Sequence, residues 1–151
     1  MKTLKSLSEQ KELRLRLALL LAEDKARWGR MSAHQMVCHL DDSYKVPLGL
    51  KTASPATGLL QRTVLKRSAL WFPMQWPKGF PTRPEIEQGK GGSLPVDFRQ
   101  DLASLLSTLS RFCEDLPTPC LHHPMFGRMT TDDWMRWGYL HADHHLRQFG
   151  R

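Results

Sequence analysis

Leu13, Leu17, Leu20 and Leu21 recur at intervals of three and four between Ser8 and about Glu23, with Glu12, Arg14 and Arg16 between them. Apolar residues at that interval make one stripe of a helix, so an amphipathic first helix is predicted. Trp28-Gly29-Arg30 interrupts the pattern. Ser32, followed three residues later by Gln35, has capping-box spacing and starts a second helix that runs to about Lys45, just short of Pro47. On this helix Gln35, His39 and Asp42 share one face, and Met36, Leu40 and Ser43 the neighbouring stripe.

The stretch from Thr57 to Leu70 is compatible with a helix, whereas Phe72 to Pro95 is rich in proline and glycine and reads as a long irregular loop. Phe72, Trp76 and Phe80 argue that this loop packs against the body, either as a cover over a core edge or as a lid over a pocket. The clearest periodicity runs from Asp97 to Glu114, where Phe98, Leu102, Leu105, Leu106, Leu109 and Phe112 are three and four apart; Pro117 and Pro119 stop it. Thr130 with Asp133 opens the last helix, placing acids in the first turn where the helix dipole favours them. Trp134, Trp137, Gly138, His141, His145 and Gln148 follow at helical spacing. Neither an internal repeat nor a β-rich segment appears, so the predicted fold class is all-α, with four principal helices packed as a bundle.

At 151 residues the chain fits a single domain, 1–151, long enough to bury roughly 68–70% of its unfolded surface. The longest apolar run, Leu17 to Ala22, is far too short to span a membrane. The first ten residues lack the apolar region of a signal peptide, which predicts a cytoplasmic protein. Cys38, Cys113 and Cys120 are odd in number and scattered; they fit a reducing compartment and read as small buried hydrophobes. The net charge of +7 is spread along the chain, with a denser patch from Gln61 to Arg67. Such a balance ordinarily marks a solvated basic face, so nucleic acid is not the expected partner.

Candidate chemistry lies in the histidines: His34, His39, His122, His123, His141, His144 and His145. His141 and His145, four apart on the predicted last helix, lie on one face with Cβ atoms about 5–6 Å apart, so both imidazoles can reach one ion. Two helix histidines held by local hydrogen bonds are the alternative reading. The third ligand is expected from His39 on the second helix, since bundles build metal sites from side chains on facing helices. Three protein ligands with an open position characterise catalytic zinc sites.

The other histidines read differently. His34 is expected to be exposed in the first turn of the second helix, and His144 points about 100° away from His145. His122 and His123 read as polar loop residues. Asp42 and Asp143 are candidates for orienting imidazole N–H groups, or are plain surface acids. The zinc-protease pattern requires Glu after the first histidine, and position 142 is Ala. A structural zinc site at Cys120, His122 and His123 lacks a second cysteine two to four residues away. Cys38, adjacent to His39, faces a different direction.

The segments Trp28 to Ser43 and Phe126 to Thr130 through His141 to Gly150, about a quarter of the chain, resemble the DinB/YfiT superfamily of small helix-bundle metalloenzymes. The closest likeness is to a subgroup of unknown function. The resemblance implies a four-helix bundle of up-down-down-up order and a divalent ion, nickel or zinc, held by His39, His141 and His145. Family members of known activity include transferases that use low-molecular-weight thiols such as bacillithiol or mycothiol, and a maleylpyruvate isomerase. Thr52 to Pro95, expected to hold much of the substrate pocket, carries no signature of the family.

The function expected is that of a metal-dependent enzyme activating water or a low-molecular-weight thiol, as an S-transferase or hydrolase. The alternative is a metal-binding or small-ligand-binding bundle without turnover. The expected partner is a small-molecule substrate, a thiol among the candidates, with a homodimer allowed and no membrane. Nucleic-acid binding through the basic middle helix, a third reading, would show affinity falling steeply with salt.

Overall fold

The structure, a computed structural model, describes residues 1–56, 58, 64–116 and 122–151. Among these residues it is all-helical: α1 (Leu7–Ala18), α2 (Ala33–Lys45), α3 (Lys66–Trp71), α4 (Phe98–Glu114) and α5 (Thr131–Gln148), with a 3₁₀ turn at Pro84–Ile86. Positions 57 and 59–63, including part of the basic patch, lie outside the described residues, as do Pro117, Pro119 and Cys120.

The helix starts follow the capping chemistry. The Ser32 hydroxyl accepts from the Gln35 N–H at 3.1 Å, and the Gln35 side chain accepts from the Ser32 N–H at 2.9 Å. Thr130 and Asp133 form the same reciprocal pair at 3.1 Å, while Asp97 caps α4 through the Gln100 N–H at 2.9 Å. Each pair satisfies donors that a helix start otherwise leaves open. α5 ends in a left-handed turn: Gly150 has φ +75°, its N–H reaches the Arg147 carbonyl, and the Arg151 N–H reaches the Leu146 carbonyl. The Arg27 guanidinium fills the space a side chain at Gly150 would need.

α1 is shorter than its periodicity predicts. The Asp24 carboxylate accepts from the Leu21 N–H at 2.9 Å and is itself held by Arg151, so the chain turns after Ala18. Leu13, Leu17 and Leu20 are buried as expected, but Leu21 is exposed. α1 packs on α5, and α2 packs on α4 and α5. Between them lie Tyr44, Phe112, Trp134 and a set of fully buried leucines, each contributing about 1.5–3 kcal/mol of apolar transfer.

Polar groups also fix the assembly. The Tyr44 hydroxyl donates to the Gly138 carbonyl at 2.8 Å, joining α2 to α5. Asp133 accepts from Trp71 Nε1 at 2.9 Å and Lys66 Nζ at 3.2 Å, and the buried Arg136 donates to the Leu70 carbonyl at 2.8 Å, so α5 holds α3 in place. No described helix is long and apolar enough to cross a membrane.

Candidate metal centre

α2 is buried almost all round, from Met36 to Tyr44, so His39 points into the interior. α5 brings His141 and His145 against it. His39 Nε2 lies 3.3 Å from His141 Nε2, and His145 Nε2 lies 3.2 Å from the same atom. All three predicted ligands therefore meet at one point. His39 and His145 are buried, and His141 keeps some exposure.

The tautomers follow from the outer hydrogen bonds. His39 Nδ1 is 3.0 Å from the Ile86 carbonyl, which can only accept, so Nδ1 carries the proton and Nε2 presents a lone pair. His145 Nδ1 is 3.0 Å from Gln148 Oε1. The Gln148 amide is oriented by its own donation to the Trp28 carbonyl at 2.6 Å, so His145 Nε2 also presents a lone pair. Whichever nitrogen of His141 carries its proton, at least one lone pair at the centre has no donor. His141 Nδ1 has no hydrogen-bond partner among the described residues. Tetrahedral zinc with bonds of about 2.0–2.1 Å separates its nitrogen ligands by about 3.3–3.4 Å, close to the two separations found.

Burial pushes all three imidazoles below their usual range. For His141 and His145 the displacement is large, and neighbouring imidazoles add to it. At neutral pH these rings are in the uncharged form that binds a metal.

The centre opens on a cavity of about 500 Å³ with mainly apolar walls. His141 sits between Trp137 and Trp76, with ring centroids 4.9 and 6.1 Å away. The proline-rich loop supplies one wall through Trp76, Phe80 and Ile86. Trp76 is held by donation from its indole N–H to the Ala69 carbonyl at 2.8 Å.

Several expectations need correction. His34 is not free at the surface: its Nε2 lies 2.6 Å from Asp101 Oδ2. His123 is buried; its Nδ1 accepts from the Met125 and Phe126 N–H groups at 3.1 Å, and burial lowers its pKa to about 3. His144, turned away from His145 as its spacing requires, nevertheless lines the cavity, and its Nδ1 has no partner among the described residues.

Neither candidate acid is hydrogen-bonded to a ring of the three-histidine group. Asp42 is fully buried and accepts from the Ser93 N–H and Oγ at 2.7 Å each; Asp143 pairs with Arg16 and Arg147. The orienting groups are the Ile86 carbonyl and Gln148. Gln148 shares the spacing of the histidine face and was within reach of sequence reasoning, whereas a loop carbonyl has no residue-type signal. Cys38 does face away from His39, toward Asp101. Burial first, then that carboxylate, pushes its thiol up to about 12, so it is not an activated nucleophile.

Fold and site together define an all-helical protein with a buried three-histidine group that could hold a metal ion. The chain belongs to the family of proteins of unknown function DUF1569, whose model matches residues 2–151. Neither the curated proteins nor the solved structures contain a match to the chain.

Proposed function

We propose that the protein is a metal-dependent enzyme of DinB/YfiT type, an up-down-down-up bundle whose three-histidine centre activates water or a low-molecular-weight thiol toward an apolar substrate. The carrying observation is the convergence of inward-facing Nε2 atoms from His39, His141 and His145 beside an apolar cavity. A divalent ion, zinc or nickel, would supply Lewis acidity there and lower the pKa of a water or thiol bound to it.

The chain's own residues do the rest. The Ile86 carbonyl and Gln148 hold two ligand rings with Nε2 inward. Trp137 and Trp76 flank the third. The apolar walls receive the body of the substrate and limit water, which strengthens electrostatic interactions inside the cavity.

Elemental analysis of protein made without a histidine tag and reconstituted with zinc or nickel tests the centre. The expected result is stoichiometric metal in wild type and one equivalent fewer in His39→Ala and His141→Ala. Metal content unchanged by those substitutions would refute it. Catalysis is tested by thiol-transfer and hydrolysis assays on apolar electrophiles. Turnover should vanish in His145→Ala with the fold retained, whereas metal bound without any turnover would favour an ion that only ties α2 to α5.

A further inference from the structure

α2 carries a second pair of ligand-type side chains four residues apart, on a different face from His39. His34 and Cys38 point toward α4, where Asp101 rises from the first turn. Asp101 Oδ2 lies 2.6 Å from His34 Nε2 and 3.7 Å from Cys38 Sγ, and the three ligand atoms are all within 4.8 Å of one another.

Each arm is held in place. Cys38 is 4% exposed. The His34 ring packs edge-on against Phe98 at 5.5 Å. The Asp101 carboxylate accepts the Val96 N–H at 3.0 Å. Tetrahedral zinc, with bonds of about 2.3 Å to sulfur and 2.0–2.2 Å to nitrogen and oxygen, needs ligand atoms about 3.4–3.6 Å apart. The sulfur-to-oxygen separation is already near that value. The His34 to Asp101 pair must open by under about 1 Å on the same scale, and both side chains are partly exposed.

We propose that His34, Cys38 and Asp101 form a second metal site, for a zinc-like divalent ion with affinity for thiolate. On binding, the Cys38 thiol releases its proton to solvent as the sulfur–metal bond forms, and His34 exchanges its hydrogen bond to Asp101 for the metal. Thiolate and carboxylate together neutralise the dication, whereas three neutral imidazoles leave the other centre doubly positive. The second site thus serves to clamp α2 to α4, holding the helix that also carries His39. It rests on ligands separate from the three-histidine group and does not require that group to bind metal.

Cobalt(II) titration of the full chain, followed by absorption, tests it, because only a thiolate ligand gives the sulfur-to-cobalt charge-transfer band. Wild type should develop that band and lose it in Cys38→Ser, with one fewer bound equivalent and unchanged helical circular dichroism. Asp101→Asn, which retains an acceptor for the Val96 N–H, should weaken cobalt binding as read by the same band. His141→Ala should keep the band while losing the other equivalent, so failure of the three-histidine centre is visible separately. Absence of the band in wild type, or its survival in Cys38→Ser, would overturn the proposal.

Discussion

Replacing Gln148 by Leu removes the group that sets the orientation of His145 without touching a ligand. The amide makes two hydrogen bonds, a buried one accepted from His145 Nδ1 at 3.0 Å and a half-buried one donated to the Trp28 carbonyl at 2.6 Å. Gly29 allows the close approach: a Cβ there would sit 2.6 Å from Gln148 Nε2. Outer partners of metal-binding histidines are worth roughly 10–100-fold in affinity, or about 1.4–2.7 kcal/mol. Leaving the buried His145 N–H without a partner costs a further ~1–3 kcal/mol of fold stability.

Gln148→Glu separates the two effects. A carboxylate still accepts from His145, so zinc affinity should be kept or raised, while its oxygen opposes the Trp28 carbonyl and stability should fall. Zinc competition against a chromophoric chelator measures the first quantity, and thermal melts of the metal-free protein the second. A Gln148→Leu variant that is folded and binds zinc as tightly as wild type would refute the orienting role.

Stability of the metal-free protein should depend on acid through its buried imidazoles. Above pH 6.5 they are neutral in both folded and unfolded chains; below it the unfolded chain takes up protons that the folded one refuses, so stability falls as pH drops. For His123 the window runs from 6.5 down to about 3, and each such histidine contributes about 1.4 kcal/mol per pH unit within its window; denaturant titrations showing no loss between pH 6.5 and 4.5 would contradict the burial. Asp42→Ala should destabilise by roughly 1.5–3 kcal/mol, since the buried carboxylate loses its charge-assisted hydrogen bonds to Ser93 and its ion pair with Lys51. Urea unfolding checks it, and a change under about 0.5 kcal/mol, as at an ordinary surface site, would contradict the reading. Gly138→Ala introduces a Cβ 2.7 Å from Phe112 Cε1 and 2.8 Å from Leu4 Cδ1; overpacking of about 1–3 kcal/mol should outweigh a helix-propensity gain of about 1. A raised melting temperature would show that Phe112 and Leu4 yield at no cost.

Much of the helix plan is legible along the chain because it is local. Ser32 with Gln35, Thr130 with Asp133, and the Phe98 to Phe112 stripe each act within one or a few turns, where covalent geometry sets the distances. α1 marks the limit of that reading. Its leucine pattern continues past Ala18, but the helix ends there, and the turn that follows is held by Asp24, which pairs with Arg151 at the other end of the chain. No periodicity in a short window contains that contact.

The same division runs through the site. The spacing of His141 and His145 by itself placed two imidazoles on one helix face, because 3.6 residues per turn leaves no alternative. Tertiary packing decided that His39 joins them, that Ile86, 47 residues along, turns its ring inward, and that Asp101, 63 residues beyond Cys38, meets it and His34. It also buried His123, which reads as a polar loop residue, and brought His144 to the cavity, although its spacing turns it away from His145. Helical register depends on bonds between near neighbours, whereas which nitrogen faces inward, and what lies opposite it, depends on how distant elements pack.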